Sequence, residues 1–323
     1  MQKPFASISL DLDNQWSYMK NHGAAGWEAF PSYLDFFVPN VLKELDTFGI
    51  KITFFIVGQD AALEKNQKYL KMIADAGHEI ANHSFRHETW LHRYSHEELE
   101  EEIKKAHDAI YAATGQTPKG FRGPGFTWSN SMLEILSENG YTYDASTFPT
   151  FIGPLARMFY YRSADLSEED KKERKDLFGK FSDGFQRLKP FYWNLNRGKS
   201  LLEIPVTTMP IFRVPIHLTY LVYISSISMG LMMAYLKMAI YLCKLTRTRP
   251  SFLIHPLDLI SSDQIEGLES FPGMNVTSEK KTMIFRKVMA LLGRHFTLIP
   301  MNEYADAVIE NKPGLIRTSK PVN

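Results

Sequence analysis

Two groups of side chains in this sequence combine the residue types that a catalytic metal site requires. Asp11 and Asp13 alternate with leucines at the end of the first predicted strand, so their carboxylates share one face. Burying two carboxylates together is costly unless a metal ion or a cation compensates their charge. His83 and His87 follow a later strand, and imidazoles four residues apart commonly bind one metal. With Asp13 or Asp11 as third ligand, the set is typical of a catalytic centre with open coordination positions.

Three more motifs follow predicted strands. Arg122 precedes Gly123 and Gly125, so an arginine able to grip a carboxylate adjoins backbone that a ligand can approach closely. Asp144 and His255 each end a short apolar run. Simpler explanations exist for every motif: exposed carboxylates at a strand end, a chance surface pair of histidines, a tight turn, a core histidine. The motifs are informative only if one fold brings them together.

The elements between the motifs alternate regularly. Four predicted helices end at glycines, with a strand shortly after each, at Gly49, Gly77, Gly115 and Gly140. This alternation predicts an α/β fold with a parallel sheet and helical crossovers, either an open sheet or a closed barrel. In both architectures functional residues lie just after the strands, where these motifs occur. Residues 14–31 are predicted to be a long aromatic loop.

The alternation stops at residues 154–249, which we interpret as an insertion. This segment has 16 basic and 8 acidic residues. Val214–Leu236 contains 23 residues without a formal charge, long enough to span a bilayer. A single crossing would separate His255 from the earlier motifs, so an in-plane helix, a re-entrant hairpin or a buried cap is expected instead.

Composition indicates one soluble domain, residues 1–323, interrupted by the 154–249 insertion. The chain has 323 residues, 44% of them hydrophobic and 23% charged, with a net charge of +1. The near-neutral charge gives no indication of nucleic-acid binding. The only cysteine, Cys243, excludes an intrachain disulfide, and no signal peptide is recognised at the N-terminus, so a cytoplasmic location is expected.

The order of the motifs resembles the polysaccharide deacetylase family (NodB homology, carbohydrate esterase family four). The matching motifs are Asp11-Leu12-Asp13, His83-Ser84-Phe85-Arg86-His87, Arg122-Gly123-Pro124, Asp144-Ala145-Ser146 and Ile254-His255-Pro256. The resemblance implies a distorted (β/α) barrel of about seven strands. It also implies that Asp13, His83 and His87 hold a divalent metal, with Zn²⁺ expected first and Co²⁺, Ni²⁺, Mn²⁺ or Fe²⁺ as alternatives.

The resemblance further assigns catalytic roles. Asp11 would be the general base, and Arg122 would pair with it. His255 would be the general acid that protonates the leaving amine, with Asp144 behind it. A backbone N–H near Gly125 would join the metal in stabilising the oxyanion.

The expected activity is hydrolysis of a carbon–nitrogen bond: removal of an acetyl or formyl group from an amino sugar. The Asp-x-Asp spacing resembles the family branch with lipid-linked amino-sugar deacetylases and deformylases. The basic insertion then predicts a substrate on a polyprenyl phosphate or a cell-envelope precursor, met at the cytoplasmic face of the inner membrane. Two alternatives stay open: an amidohydrolase for a small amide or ureide, and a carbohydrate-binding barrel without catalysis.

Overall fold

The computed structural model describes residues 3–163 and 180–310 of the chain. The strands in that part are β1 Phe5–Leu12, β2 Thr53–Ile56, β3 Glu79–Asn82, β4 Gly120–Phe121, β5 Tyr143–Asp144, β6 Phe191–Asn194, β7 Ser200–Glu203, β8 Ser251–Ile254 and β9 Thr297–Ile299. The helices are α1 Gln15–His22, α2 Leu34–Thr47, α3 Gly58–Ala62, α4 Glu64–Asp75, α5 His96–Thr114, α6 Asn130–Glu138, α7 Gly153–Ser163, α8 Leu218–Ile227, α9 Met229–Leu245, α10 Ser278–His295 and α11 Met301–Glu310.

The strands form one sheet in the order β6-β7-β5-β4-β3-β2-β1-β8, with β9 paired to β1. All pairs are parallel except β6 with β7. β7 and β8 do not pair as strands, but the Thr207 N–H beyond β7 donates to the Ser251 carbonyl at 3.0 Å. The α/β fold with a parallel sheet, predicted from the alternation, is confirmed, and seven parallel strands lie on the path from β7 to β8.

Local signals set the helix boundaries that the sequence predicted. Ser95 and Glu98 form the capping box that begins α5, and Gly115 ends that helix with φ of 75°. The predicted loop at residues 14–31 is wrong in its first half, which is α1. The side chain of Asn14 caps that helix by accepting the Gln15 N–H at 2.8 Å.

Residues 154–249 contribute to the sheet as well as covering it. β7 lies beside β5, and α8 and α9 lead the chain to β8. Val214–Leu236 does not form one helix, because Ser228 ends α8 and caps α9 by accepting the Leu231 N–H. The predicted basic residues Lys171, Lys172, Arg174 and Lys175 lie outside the described residues. No helix in the described ranges is long and apolar enough to cross a membrane.

The buried core places the site. Ile8, Leu10 and Leu12 of β1 are buried in the main apolar cluster, together with residues of α2, α10 and β8. Ser9 and Asp11 alternate with them and are also buried, on the face that meets Arg122. A carboxylate in a strand that is buried on both faces is costly, and the Arg122 guanidinium compensates that cost for Asp11.

Candidate active site

The motif side chains converge at the carboxyl ends of the parallel strands. Asp13 lies beyond β1, His83 beyond β3, Arg122 beyond β4 and His255 beyond β8. β1 lies between β2 and β8 in the sheet, so its end adjoins the ends of both neighbours. Parallel pairing aligns these ends at one edge, where α/β folds bind their ligands.

Asp13, His83 and His87 form a buried cluster suited to a metal ion. One ligand atom from each lies within 4.8 Å of the other two. Asp13 Oδ1 is 2.9 Å from His87 Nε2 and 3.4 Å from His83 Nε2. Asp13 Oδ1 and His87 Nε2 are buried without a hydrogen-bond partner of suitable geometry. Since buried polar atoms are normally satisfied, the orphaned atoms and the mixed carboxylate–imidazole donor set fit a divalent cation.

Electrostatics supports the same interpretation. Burial by itself would raise the pKa of Asp13, but the close approach of the His87 and His83 imidazoles outweighs it and lowers that pKa far below its usual range. Burial opposes protonation of His83, yet the charges of Asp11 and Asp13 raise its pKa. The cluster therefore attracts positive charge, which protons or a metal ion can supply.

The two histidines lie in an irregular segment and not on a helix. Residues 83–87 form a turn in which Ser84 and His87 adopt positive φ angles of 62° and 56°. Asn82 Oδ1 accepts the Ser84 N–H, and Glu102 Oε1 accepts the N–H groups of Phe85 and Arg86. These hydrogen bonds hold a backbone that is otherwise unfavourable for residues other than glycine, and they aim both imidazoles at Asp13.

Arg122 and Asp11 form a buried ion pair. Arg122 Nη1 donates to Asp11 Oδ1 at 2.5 Å and to Ser9 Oγ at 3.0 Å. Its Nε donates to the Ala145 carbonyl, and its guanidinium carbon lies 4.2 Å from the Phe55 ring centroid. The backbone carbonyl of Arg122 is 2.6 Å from His83 Nδ1, which leaves His83 Nε2 facing Asp13. Arg122 thus orients both the proposed base and one proposed metal ligand.

His255 lies on the opposite side of Asp11 and carries one ring nitrogen toward it. His255 Nε2 is 4.0 Å from Asp11 Oδ2. The other nitrogen, Nδ1, is 3.2 Å from Thr219 Oγ1 and 3.9 Å from Asp258 Oδ2. The His255 side chain is 21% exposed, whereas that of Asp11 is 5% exposed. A partly exposed imidazole beside a buried carboxylate can exchange a proton with a bound molecule.

Asp144 is not behind His255, and this expectation needs correction. Asp144 Oδ1 accepts the Ser146 hydroxyl at 2.6 Å, and Asp144 lies opposite Glu203 in the pair formed by β5 and β7. Burial, and then the charge of Asp144, raises the pKa of Glu203 well above its usual value. Thr147 and Trp193 also donate to Glu203. β5 and β7 are neighbours, which is why the two strand ends meet.

Three residues that adjoin His255 were not predicted from the sequence. Thr219 and Asp258 contact His255 Nδ1, and the ring centroid of His217 is 5.9 Å from that of His255. Burial and the nearby charge of His255 lower the pKa of His217 well below its usual value, so this imidazole is neutral. Only the position of Asp258, three residues after His255, could have suggested a local partner. The predicted oxyanion donor near Gly125 stays a prediction.

Residues 25–143 match the family model described as polysaccharide deacetylase. A peptidoglycan deacetylase of Helicobacter pylori is 30% identical over 128 residues, which cover 40% of this chain and 41% of that relative. The match therefore spans less than half the length of the curated relative.

Two solved structures are similar in fold. One is a Mycobacterium smegmatis protein provisionally assigned to the polysaccharide deacetylases, with a TM-score of 0.57, 18% identity and full coverage of both chains. The other is the Puue allantoinase, with a TM-score of 0.58, 16% identity and coverage of 95% of this chain and 91% of that one. The resemblance seen in the motifs is confirmed: residues 25–143 match the polysaccharide deacetylase family model, and the fold is similar to those of the two solved structures.

Proposed function

We propose that this polysaccharide deacetylase-family chain is a metal-dependent hydrolase that removes an acetyl or formyl group from the nitrogen of an amino sugar. One observation carries the proposal. The buried Asp13–His83–His87 cluster adjoins the Asp11–Arg122 ion pair, and His255 faces Asp11 at 4.0 Å. Together these residues provide metal ligands, a base and an acid within one site. The similarity to a peptidoglycan deacetylase supports a sugar N-acetyl group as substrate.

Each residue has a role in amide hydrolysis. A divalent ion held by Asp13, His83 and His87 would supply Lewis acidity toward the acyl oxygen and the attacking water. Asp11 takes a proton from that water as the water oxygen bonds to the acyl carbon, and Arg122 keeps the Asp11 carboxylate oriented. His255 then donates a proton to the amine as the C–N bond breaks. The products are the carboxylic acid and the free amino sugar.

The activity is tested by incubating the metal-supplemented chain separately with N-acetylated chitotetraose, with peptidoglycan and with allantoin. Released acetate and free amine are measured for the two sugars, and ureide cleavage is measured for allantoin. We expect acetate and amine from one of the sugars and none with an Asp11→Asn variant. Cleavage of allantoin alone would establish the ureide alternative. Sugar binding without release of acetate, with zinc, cobalt or manganese supplied, would refute the hydrolase and leave the non-catalytic barrel.

We further propose that the substrate is lipid-linked and is met at an anionic membrane surface. Of fifteen large hydrophobic side chains exposed in the described residues, twelve lie within residues 154–249. Large exposed apolar patches mark sites of interaction with proteins or membranes. The insertion is thus the part of the described molecule with the most uncovered apolar surface.

The outer face of α9 is the clearest part of that surface. Its exposed apolar residues Leu231, Met238, Tyr241 and Leu245 recur at spacings that place them on one face. The opposite face of α9 is buried in the core. A surface helix normally has a polar outer face, so apolar residues on both faces indicate that something covers the outer one.

Charge favours a bilayer as the covering partner. Residues 214–249 contain four basic residues and no acidic one, and Lys237 and Lys244 lie beside the apolar stripe of α9. Basic residues at a membrane surface are each worth about 1 kcal/mol of attraction to anionic lipids. A symmetric contact between two copies would instead bring uncompensated lysines together. A membrane surface at the cytoplasmic face of the inner membrane is therefore the proposed place of action.

The deletion of Val214–Leu236 would not be a clean test, because Leu221, Met232 and Leu236 are core residues. The better variant is the triple Leu231→Ser, Met238→Ser, Tyr241→Ser. Wild type should co-sediment with vesicles that contain anionic phospholipid and should not co-sediment with neutral vesicles. The triple variant should not co-sediment with either kind of vesicle.

The matched control is Met72→Ser with Tyr111→Ser, which removes comparably exposed apolar groups from α4 and α5. This control should bind vesicles as wild type does. Equal sedimentation of wild type and the triple variant would refute membrane docking. If wild type forms a dimer and does not bind vesicles, and the triple variant is monomeric, the partner is a second copy of the chain.

Lipid linkage is tested by comparing the rates of deacetylation of a polyprenyl phosphate-linked N-acetylglucosamine and of N-acetylated chitotetraose. Faster deacetylation of the soluble sugar would refute that part.

A further inference from the structure

We infer that the insertion completes the catalytic machinery: the Thr219 hydroxyl bridges His255 and Asp258, and thereby fixes which nitrogen of His255 faces the substrate. This inference rests on the proposed role of His255 as proton donor. It assigns to Thr219 and Asp258 the position behind the imidazole that Asp144 does not occupy.

Two side chains lie against the Nδ1 nitrogen of His255. The backbone N–H of His255 donates to Asp258 Oδ2 at 2.8 Å, so the carboxylate is tied to the residue it supports. Thr219 Oγ1 lies 3.2 Å from His255 Nδ1, and Asp258 Oδ2 lies 3.9 Å from the same nitrogen. Burial raises the pKa of Asp258, and the nearby Thr219 hydroxyl is one of the groups that partly offset that rise. The Thr219 hydroxyl is therefore the closer partner of the ring, and the Asp258 carboxyl is the more distant one.

Counting donors gives the direction of this chain of hydrogen bonds. A hydroxyl has a single hydrogen, and an ionised carboxylate can only accept. If Thr219 donates to Asp258, its oxygen must accept from His255, which requires a hydrogen on Nδ1. The nitrogen that faces Asp11, Nε2, is then the one that gains and loses the transferred proton.

The support for this arrangement is rigid on both sides. Asp258 is 2% exposed and lies in the turn Pro256–Asp258 directly after β8. Lys281 of α10 is fully buried and donates to the carbonyls of Leu257 and Ile260, each at 2.7 Å. Thr219 lies in the first turn of α8, whose inner face is part of the main core. Groups held this way can keep a hydrogen bond aligned during a reaction.

Thr219 connects the insertion to the proposed catalytic site. Thr219 belongs to residues 154–249, whereas His255 and Asp258 directly follow β8. The insertion thus contributes a positioning residue to the catalytic centre in addition to any surface it offers to a membrane. Docking at the outer face of α9 and catalysis at the N-terminal turn of α8 would then involve two consecutive helices of the insertion.

The test compares Thr219→Val, which keeps the shape but removes the hydroxyl, with Thr219→Ser, which restores it. The control is Ser225→Ala on the same helix, because the Ser225 hydroxyl donates to the Val222 carbonyl of its own turn. We expect Thr219→Val to lower kcat about 10- to 100-fold with little change in KM, since misaligned acid catalysis loses part of its usual benefit. Thr219→Ser should recover most of kcat, and Ser225→Ala should match wild type.

A second readout does not require a known substrate. Nitrogen-15 spectra of histidine-labelled protein, with His255 assigned through His255→Gln, report which ring nitrogen carries the hydrogen. Wild type and Thr219→Ser should show Nδ1–H, and Thr219→Val should show a mixture. Unchanged spectra in Thr219→Val, or an unchanged kcat in an active enzyme, would overturn the inference. A wild type that hydrolyses no sugar amide would refute the proposed function, while the spectra would still decide the role of Thr219.

Discussion

Replacing Arg122 by methionine should destabilise the fold through charge and not through packing. Arg122 is fully buried, and its guanidinium donates to Asp11, Ser9 and the Ala145 carbonyl. Methionine fills a similar volume but carries no charge. The substitution therefore leaves Asp11, which is 3% exposed, as a buried carboxylate without its cation.

The magnitude follows from the burial of both partners. Removing one member of a buried ion pair costs about 3–5 kcal/mol, mostly because the other charge stays buried. Asp11→Asn should cost less, about 1–3 kcal/mol, since the amide oxygen still accepts from Arg122. In the double variant no uncompensated charge remains. Its destabilisation should therefore be smaller than the sum of the two single effects by about 2–3 kcal/mol.

The assay is urea unfolding of wild type, both single variants and the double variant, followed by circular dichroism at neutral pH with a chelator present. The chelator removes any metal whose binding would depend on the neighbouring Asp13. Arg286→Met is the matched control, because Arg286 also forms a two-pronged ion pair, with Glu44, but is 57% exposed. It should change the unfolding free energy far less than Arg122→Met, since exposed pairs are screened.

Strict additivity of the two single effects would refute the reasoning, because it would mean that Arg122 and Asp11 do not compensate each other. So would an Arg122→Met variant as stable as the Arg286→Met control. A change in the urea m-value would show instead that the unfolded or native ensemble had changed, and the cycle would then be repeated by thermal unfolding.

Three further outcomes are expected. A divalent metal at about 1,000 times its Kd should stabilise wild type against thermal unfolding by about 4 kcal/mol and should not stabilise the Asp13→Ala variant. Equal increases in the melting temperature of both proteins would place the metal elsewhere. Burial, and then the charge of Lys51, lowers the pKa of His78 to about 4, so the folded state resists its protonation. The contribution of neutral His78 to the unfolding free energy is complete above pH 6.5 and should fall by about 2 kcal/mol as the pH drops to 4, after discounting for solvent screening. The His78→Asn variant should show a flatter pH profile, because its amide oxygen can still accept the Ile52 N–H but does not titrate. Gly58→Ala should lower the unfolding free energy by about 1–3 kcal/mol, because the added Cβ would lie 2.6 Å from the Ala106 Cα. A variant with the same urea unfolding free energy as wild type would contradict this.

The sequence was informative wherever the determining interactions are local. Capping by Ser95 and Glu98, and glycines that end helices, act within one turn of chain, so α5 and its neighbours could be predicted. The alternation of strands and helices likewise predicted the parallel sheet. α1 was missed because it is short and largely polar, and only the Asn14 cap marks its beginning.

For the candidate site, the sequence supplied residue types and order. Asp13, His83 and His87 could be named because short motifs follow strands, and parallel strands end at one edge. Their geometry came from contacts that the motifs do not contain. The turn at residues 83–87 depends on Glu102, which lies on the following helix and accepts two of its N–H groups.

The partners of Asp144 and His255 were decided only by the tertiary structure. Asp144 meets Glu203 because β5 and β7 are adjacent, although the two carboxyls are far apart in sequence. His255 meets Thr219 because α8 packs beside β8. Strand order and helix packing are set by the burial of the whole apolar core, which no local pattern encodes. The sequence by itself determined which chemical groups are present and at which strand ends, and the packing of the sheet decided which of them touch.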